Sequence, residues 1–312
     1  MSKRQKKLQG SHIWLPILCI GLGCVAVFSC QLNIWLKHSS DREREQWVQQ
    51  EARYQERIGE LEQNVEDLEQ ELNQQQNAEN LTFAGAYLSD LTEQSPGDIL
   101  EEEKLDRENI GNYFTAVSIK EGDEIYQRIN GKSYRENDNI SLDELVYLKM
   151  LHYNFQGEIQ VGEMIVHREL AEDVLEIFQE LFENQYEIQS MYLVDNYWAG
   201  NGEDSDFASI EANNTSAFNY REVTGGTSLS NHAYGRAIDI NPQQNPYVWF
   251  DRSGTAQWSH ENADAYINRE SDLAHVIDHE NLCYQLFAEH GFSWGGDWDN
   301  PKDYQHFEKS LQ

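Results

Sequence analysis

A run of about two dozen uncharged residues near the amino terminus constrains the folding of this chain most strongly. Residues 13–36 read IWLPILCIGLGCVAVFSCQLNIWL and contain no acidic or basic side chain. About 20 consecutive apolar residues allow a helix to cross a hydrocarbon layer of ~30 Å. The basic stretch KRQKK at residues 3–7 precedes the run, and an acidic chain follows it. By the positive-inside rule, residues 1–12 are predicted to be a cytoplasmic basic tail and residues 13–36 a single-pass transmembrane anchor.

A cleaved signal peptide is the alternative interpretation of this run. Its apolar region is long for a signal peptide, and no A-x-A-like cleavage site follows it. The sequence VFSC at residues 27–30 matches a lipoprotein cleavage box poorly because Phe28 is large, and lipidation of Cys30 stays open. Both interpretations place the bulk of the chain outside the cytoplasm. Cys19, Cys24 and Cys30 lie within the run and Cys283 stands alone, so no disulfide framework is predicted.

The segment that follows the anchor has the pattern of a coiled coil. Residues 41–79 contain no proline and are rich in Glu, Gln and Arg. Apolar residues recur there at alternating spacings of three and four, which is a heptad seam of about four repeats. The pattern predicts a homodimer through this segment or docking to another coiled coil, and a single solvated stalk helix is the alternative. The seam consists of Ile58, Leu61, Val65, Leu68 and Leu72, and Trp47 and Tyr54 extend its d positions backwards.

Composition then distinguishes an acidic linker from the globular domain that follows it, and the net charge excludes nucleic acid as a partner. Residues 80–112 lose the heptad period and are predicted to be an acidic linker. The chain carries 23 basic and 55 acidic side chains, a formal charge of −32. No basic face is available to displace counterions from phosphates, so a nucleic-acid partner is excluded.

The remaining residues, 113–312, are predicted to form one compact α+β domain with a small, mainly antiparallel sheet and flanking helices. Helices and strands mix there without a regular βαβ alternation. Two extended segments are predicted on either side of Gly157, and an irregular loop rich in acids around Gly200 and Gly202. Helices are predicted at residues 169–185 and 278–290, and further strands at residues 186–197, 292–294 and 304–308.

One segment of this domain, SLSNHAYGRAIDINPQQNPY at residues 228–247, places a histidine and an aspartate in a strand-like run. A fully extended chain from His232 to Asp239 would span ~23 Å, too far for two ligands of one metal. The chain must therefore turn back, and Gly235 permits that turn. After it, Asp239 lies on a strand whose isoleucines face the core, and a buried carboxylate needs a partner. A metal ion and a structural pair with His or Arg both satisfy this requirement.

The carboxyl terminus contains a second pair of candidate ligands. The sequence FSWGGDWDNPKDYQHFEK at residues 292–309 places Asp303 and His306 at D-x-x-H spacing. Two histidines and one carboxylate leave a fourth position of zinc open for water, as in catalytic rather than structural zinc sites. A second carboxylate that is not a ligand could take a proton from water and pass it to a leaving amine.

These motifs together resemble a known family. S-x-H-x-x-G-x-A-x-D, starting at Ser230, is followed by W-G-G-D-W and then D-x-x-H-F. The order is similar to that in the D-alanyl-D-alanine carboxypeptidase and L-alanyl-D-glutamate endopeptidase family of zinc peptidases, over roughly residues 113–312. The resemblance implies that His232, Asp239 and His306 bind one Zn²⁺ ion and that Asp303 is the general base and acid. The D-x-x-H form resembles the L-alanyl-D-glutamate branch.

The resemblance also implies roles for residues outside the ligand set. Arg221 stands where the family has an arginine that polarises the scissile carbonyl, although it could instead neutralise a core acid. Asp206 and Ser209 fit a D-x-x-S-M segment that contributes to substrate binding, with Ile210 in place of Met. Ser230 is expected to fix the ligand loop by hydrogen bonding. Trp294 either forms a wall of the cleft or packs in the core.

The sequence therefore predicts a membrane-anchored zinc metallopeptidase of the bacterial cell membrane, with its catalytic domain outside the cytoplasm. Its expected substrate is the stem peptide of peptidoglycan, cut as by an L-alanyl-D-glutamate endopeptidase. D-alanyl-D-alanine carboxypeptidase activity is the first alternative. The others are a non-catalytic scaffold of the cell wall that acts through its coiled coil, and a structural metal site without turnover.

Overall fold

A computed structural model of the chain describes residues 50–53, 55–59, 87–269 and 273–311. The first two of these ranges are helical. The predicted anchor and most of the predicted coiled coil lie outside the described residues, so both stay predictions. Among the described residues, no helix is long and apolar enough to cross a bilayer.

Residues 87–311 contain helices and short strands in irregular order, which confirms the α+β class. The α-helices are α1 Glu124–Ile129, α2 Ala171–Glu183, α3 Gly202–Glu211 and α4 Leu282–Glu289. The first six strands are β1 Ile99–Leu100, β2 Thr115–Ser118, β3 Leu145–Tyr153, β4 Ile159–His167, β5 Ser190–Met191 and β6 Asn214–Thr215. The others are β7 Ala237–Asp239, β8 Tyr247–Phe250, β9 Ala256–Gln257, β10 Ser293–Trp294, β11 Lys302–Asp303 and β12 His306–Glu308.

The largest sheet has the strand order β1-β4-β3-β2 and is antiparallel throughout. Its centre is the hairpin predicted on either side of Gly157, and Gly157 adopts a φ of 72° in the turn. Both faces of β3 are buried: Leu148 belongs to one core cluster and Tyr147 to another. This explains the nearly continuous apolar sequence of the strand. The buried face of α2, predicted from its apolar period, packs in the same cluster as Leu148.

Two small antiparallel sheets position the candidate site. One has the order β10-β12-β7 and the other β11-β8-β9. Ile238 of β7 and Phe307 of β12 are buried neighbours in the main core, so the first sheet is held to the rest of the domain by apolar packing.

Some predicted elements differ from the structure. The acidic linker predicted at residues 80–112 is folded into the domain from residue 87 on, where β1 pairs with β4. Its widely spaced apolar residues, among them Leu91 and Leu105, are buried in the core. Their burial holds the segment on the domain although most of its other residues are charged or polar. The loop predicted around Gly200 and Gly202 contains helix α3, which Asn201 caps by accepting a hydrogen bond from the amide of Asp204.

Two predicted boundaries also shift. The strand predicted at residues 186–197 is reduced to β5, and a 3₁₀ helix follows at Val194–Tyr197. The helix predicted at residues 278–290 begins at Leu282, because the side chain of Asn281 caps its first turn.

Candidate metal centre

A short capped turn presents His232 to the site. Residues Asn231–Tyr234 form a 3₁₀ turn, and the Ser230 hydroxyl accepts a hydrogen bond from the amide of His232 at 3.3 Å. The turn ends at Gly235, which has a left-handed φ of 64°. A side chain at this position would place its Cβ 2.6 Å from the backbone nitrogen of His167. Glycine is therefore required here both for the dihedral angle and for the close approach of the chain.

Strand pairing brings the other two candidate ligands together. Asp239 ends β7 and His306 begins β12, and the antiparallel register places these two residues directly opposite each other. Opposed residues in an antiparallel pair project from the same face of the sheet. The two motifs, which are more than sixty residues apart in the sequence, therefore meet across one pair of strands.

The donor atoms of these three side chains form a compact triangle. His232 Nε2 lies 3.2 Å from His306 Nδ1 and 3.3 Å from Asp239 Oδ2, and His306 Nδ1 lies 3.0 Å from Asp239 Oδ1. All three residues are buried, and their ligand atoms lie within 4.8 Å of one another. Ligands bound to tetrahedral zinc at 2.0–2.2 Å are separated by about 3.3–3.6 Å. The two distances to Asp239 end at different oxygens of its carboxylate, so the cluster fits one metal ion once the donor atoms adjust around it.

The second nitrogen of each histidine is also engaged, as metal-binding histidines require. His232 Nδ1 donates to the carbonyl of Ala217 at 2.6 Å. His306 Nε2 donates to Glu308 Oε2 at 3.0 Å, and Glu308 in turn accepts from the Asn231 amide at 2.6 Å. Such partners fix the ring orientation and leave the other nitrogen available to a metal.

Electrostatics show how the three side chains satisfy one another without a metal. Burial alone would raise the pKa of Asp239, but its ion pair and hydrogen bond with His232 and its contacts with His306 hold it well below its usual range. Burial alone would lower the pKa of His306, but hydrogen bonds to Asp239 and Glu308 raise it to about 10. Without a metal, protonated His306 therefore supplies the positive charge beside Asp239. Metal binding at His306 must displace this proton.

Asp303 lies beside this triangle without being part of it. It belongs to β11, and Gly295 packs so closely against it that an added Cβ would lie 2.9 Å from the Cβ of Asp303. Oxygen Oδ1 of Asp303 is buried and makes no hydrogen bond. Burial, with a smaller contribution from Asp239 and Asp206, raises the pKa of Asp303 to about 7, although His306 and Arg221 act in the opposite direction. The carboxyl group can therefore exchange a proton near neutral pH.

Arg221 is held by Asp206. Its Nη2 lies 2.7 Å from Asp206 Oδ2, and both side chains are largely buried. The Nε of Arg221 is buried and unpartnered. The predicted roles of Asp206 and Arg221 thus meet in one ion pair, which orients the guanidinium group.

The three candidate ligands, Asp303 and the ion pair all line one cavity of about 730 Å³. This volume is within the range of sites that bind small molecules. Among the residues predicted to support binding, Ser230 also lines the cavity, but Ser209 and Trp294 are absent from its lining. Ser209 accepts a hydrogen bond from the side chain of Asn214, and Trp294 donates one to the carbonyl of Tyr304 from within the core.

Several residues of the site were not predicted from the sequence. Glu308 stands two residues after His306 in a strand, and this spacing places both side chains on the same face, a signal that could have identified it. Tyr247, Trp249 and His260 also line the cavity. No motif marked these three. The proximity of Tyr247 and Trp249 to the site depends on how β8 pairs with β11.

Comparison with known proteins identifies the segment that carries this centre. Residues 224–309 match a family model described as D-alanyl-D-alanine carboxypeptidase. The match includes all three candidate ligands and Asp303, and it confirms the family that the motifs resemble. Searches of curated proteins and of solved structures found no match.

Proposed function

Residues 224–309 match the family model described as D-alanyl-D-alanine carboxypeptidase, and on this premise we propose that the chain is a zinc metallopeptidase that hydrolyses peptidoglycan stem peptides. The observation that carries the proposal is the donor triangle of His232, Asp239 and His306 beside the buried Asp303, whose Oδ1 has no hydrogen-bond partner. A purely structural metal site does not require a carboxyl group with a pKa of about 7 in the same cavity, whereas proton transfer does.

The choice of zinc follows from the donor set. Two imidazole nitrogens and one carboxylate form a common three-ligand set of catalytic zinc, which leaves a fourth position open. When bound, zinc supplies Lewis acidity toward a carbonyl oxygen and toward water.

The side chains of the protein supply proton transfer and charge stabilisation. Asp303 takes a proton from the attacking water and returns it to the departing amine, since its pKa of about 7 permits both directions near neutral pH. Arg221, oriented by Asp206, donates from its free Nε to the oxygen on which negative charge develops. The burial of both groups strengthens these interactions relative to water.

The bond between L-alanine and D-glutamate is the proposed site of cleavage, on the basis of the D-x-x-H form that contains Asp303 and His306. Digestion of purified peptidoglycan by the zinc-loaded chain, followed by mass spectrometry of the released ends, tests this choice. We expect new amino-terminal D-glutamate. Release of D-alanine alone, with intact stems, would show a D,D-carboxypeptidase instead.

We further propose that the enzyme is anchored in the bacterial membrane by residues 13–36, with its catalytic domain outside the cytoplasm and a coiled coil at residues 41–79. The uncharged run and the heptad seam support this arrangement. The competing function is a wall-binding scaffold without turnover. Asp303→Ala separates the two functions. Cells that carry this variant should keep the wild-type phenotype if the protein is a scaffold and lose it if the protein is a peptidase.

A further inference from the structure

We propose that an aromatic platform beside the metal centre binds a pyranose ring, namely the sugar that carries the stem peptide. This inference rests on the proposed function for the identity of the substrate. The platform is defined as the five rings of Phe207, Tyr247, Trp249, Trp258 and His260, which line the same cavity as the candidate ligands.

Strand register places one end of the platform next to Asp303. Asp303 of β11 is paired directly with Tyr247 of β8, so their side chains project from the same face. Trp249 follows two residues later on that face, while Val248 between them is buried. The rings of Tyr247 and Trp249 lie 6.0 Å apart between centroids. Together they extend the cavity about 7 Å along the strand away from Asp303.

Three of these rings are exposed in a way that is unusual for the domain. Of the eight large apolar side chains that are exposed in the described part of the chain, four line this one cavity, namely Val223 and three rings of the platform. Phe207 is 45 % exposed, Tyr247 38 % and Trp249 37 %. A concentration of exposed apolar surface that continues from a candidate active site marks a surface that a ligand covers.

The remaining members of the platform are held in place. The Trp258 indole donates to Asp264 Oδ1 at 2.7 Å. Phe207 packs against His260 with 4.1 Å between ring centroids. The rings therefore offer fixed faces to a ligand, and little conformational entropy is lost when it binds.

The chemistry of the platform favours a sugar over the peptide part of the substrate. Alanine has too small a side chain to cover these rings, and the D-glutamate carboxylate would be repelled by Glu203 and Asp204, which also line the cavity. A pyranose offers a flat face of C–H groups that can cover an indole ring. His260 Nδ1 is buried and has no hydrogen-bond partner, so it can bond a hydroxyl or acetamido group at the edge of the sugar.

The position of the platform also bears on which bond is cut. The L-alanine of the stem is attached to the sugar, and the D-alanyl-D-alanine bond lies at the opposite end of the stem. A sugar site that starts at the strand neighbour of Asp303 places the sugar-proximal bond at Asp303. The platform thus gives the L-alanyl-D-glutamate preference a structural reason that is independent of the D-x-x-H motif.

The test compares kcat/KM of the zinc-loaded full chain on one stem peptide in two forms. One form is free, and the other is linked to the disaccharide of N-acetylglucosamine and N-acetylmuramic acid. We expect the linked form to be preferred at least about tenfold, as burial of one aromatic face predicts. Trp249→Ala should reduce this preference to near one. Val117→Ala, which truncates an exposed apolar side chain outside the cavity lining, should preserve it.

A binding measurement separates this inference from the proposed function. Calorimetric titration of the chelator-treated full chain with the disaccharide alone should show binding that Trp249→Ala weakens about tenfold. Binding without hydrolysis of either substrate would refute the peptidase and leave the sugar site standing. Equal kcat/KM on both substrates, or no heat from the disaccharide, would overturn the sugar site. If Trp249→Ala does not fold, these wild-type measurements decide.

Discussion

Removal of Glu308 should weaken metal binding although this residue is not a ligand. Glu308 accepts hydrogen bonds from His306 Nε2 at 3.0 Å and from Asn231 at 2.6 Å, so it fixes the ring whose other nitrogen faces the metal. Loss of such a partner typically lowers metal affinity 10–100-fold, or roughly 1.4–2.8 kcal/mol. The Glu308 side chain is 28 % exposed, and water can partly replace it. We therefore expect Glu308→Ala to lower zinc affinity about tenfold.

Competition with a chromophoric chelator at fixed pH measures this affinity directly. Glu308→Gln keeps a hydrogen-bond acceptor and removes the charge, so its affinity should lie between those of the wild type and Glu308→Ala. Glu121→Ala is a matched control, because Glu121 is exposed and does not line the cavity. An affinity of Glu308→Ala within twofold of the wild type would refute the reasoning that this contact orients His306.

The sequence predicted the centre of this site because its residues are fixed by chemistry. A turn was required between His232 and Asp239, and the structure forms it at Gly235. The second motif supplied His306, and the structure pairs it with Asp239 across two strands. The hairpin around Gly157 was also predicted correctly, because a long apolar run interrupted by one turn leaves few alternatives.

The parts that the sequence did not predict depend on tertiary packing and strand register, which a local sequence pattern does not contain. Helix α3 has six polar or charged residues against three apolar ones and no apolar stripe, so its acids and glycine suggested a loop. Residues 87–112 are rich in charge, and the few apolar residues that bury there are too widely spaced to show a period. The aromatic platform depends on the register of Tyr247 with Asp303, which no spacing in the sequence encodes.

Further predictions concern Asp303 and its surroundings. Gly295→Ala would place a Cβ 2.6 Å from the carbonyl oxygen of Asp303 and so displace this residue. We therefore expect kcat/KM on a stem peptide to fall at least about tenfold. Gly111→Ala is the matched control, because its Cβ would have its nearest neighbour at 3.5 Å. In chelated protein the pKa of Asp303 is raised from 3.8 to about 7, so the folded state keeps a proton that the unfolded state releases, and stability falls as pH rises through this window. Asp303→Asn removes this titration and should be more stable than the wild type at pH 8 by up to about 4 kcal/mol, with little difference near pH 4. Denaturant unfolding at both pH values measures the difference, and parallel pH profiles for the two proteins would contradict the raised pKa.

The central claim is that His232, Asp239 and His306 form the zinc centre of a peptidase, and restoration of zinc to chelated protein tests it most directly. Hydrolysis of a stem peptide and circular dichroism are followed while zinc is added to the metal-free chain. We predict that the chelated protein stays folded, since the three side chains satisfy one another without a metal, and that it is inactive. Activity should then rise linearly and reach its plateau at one equivalent of zinc. Full activity in the chelated protein, or unfolding on chelation with no hydrolysis at any zinc concentration, would contradict the account.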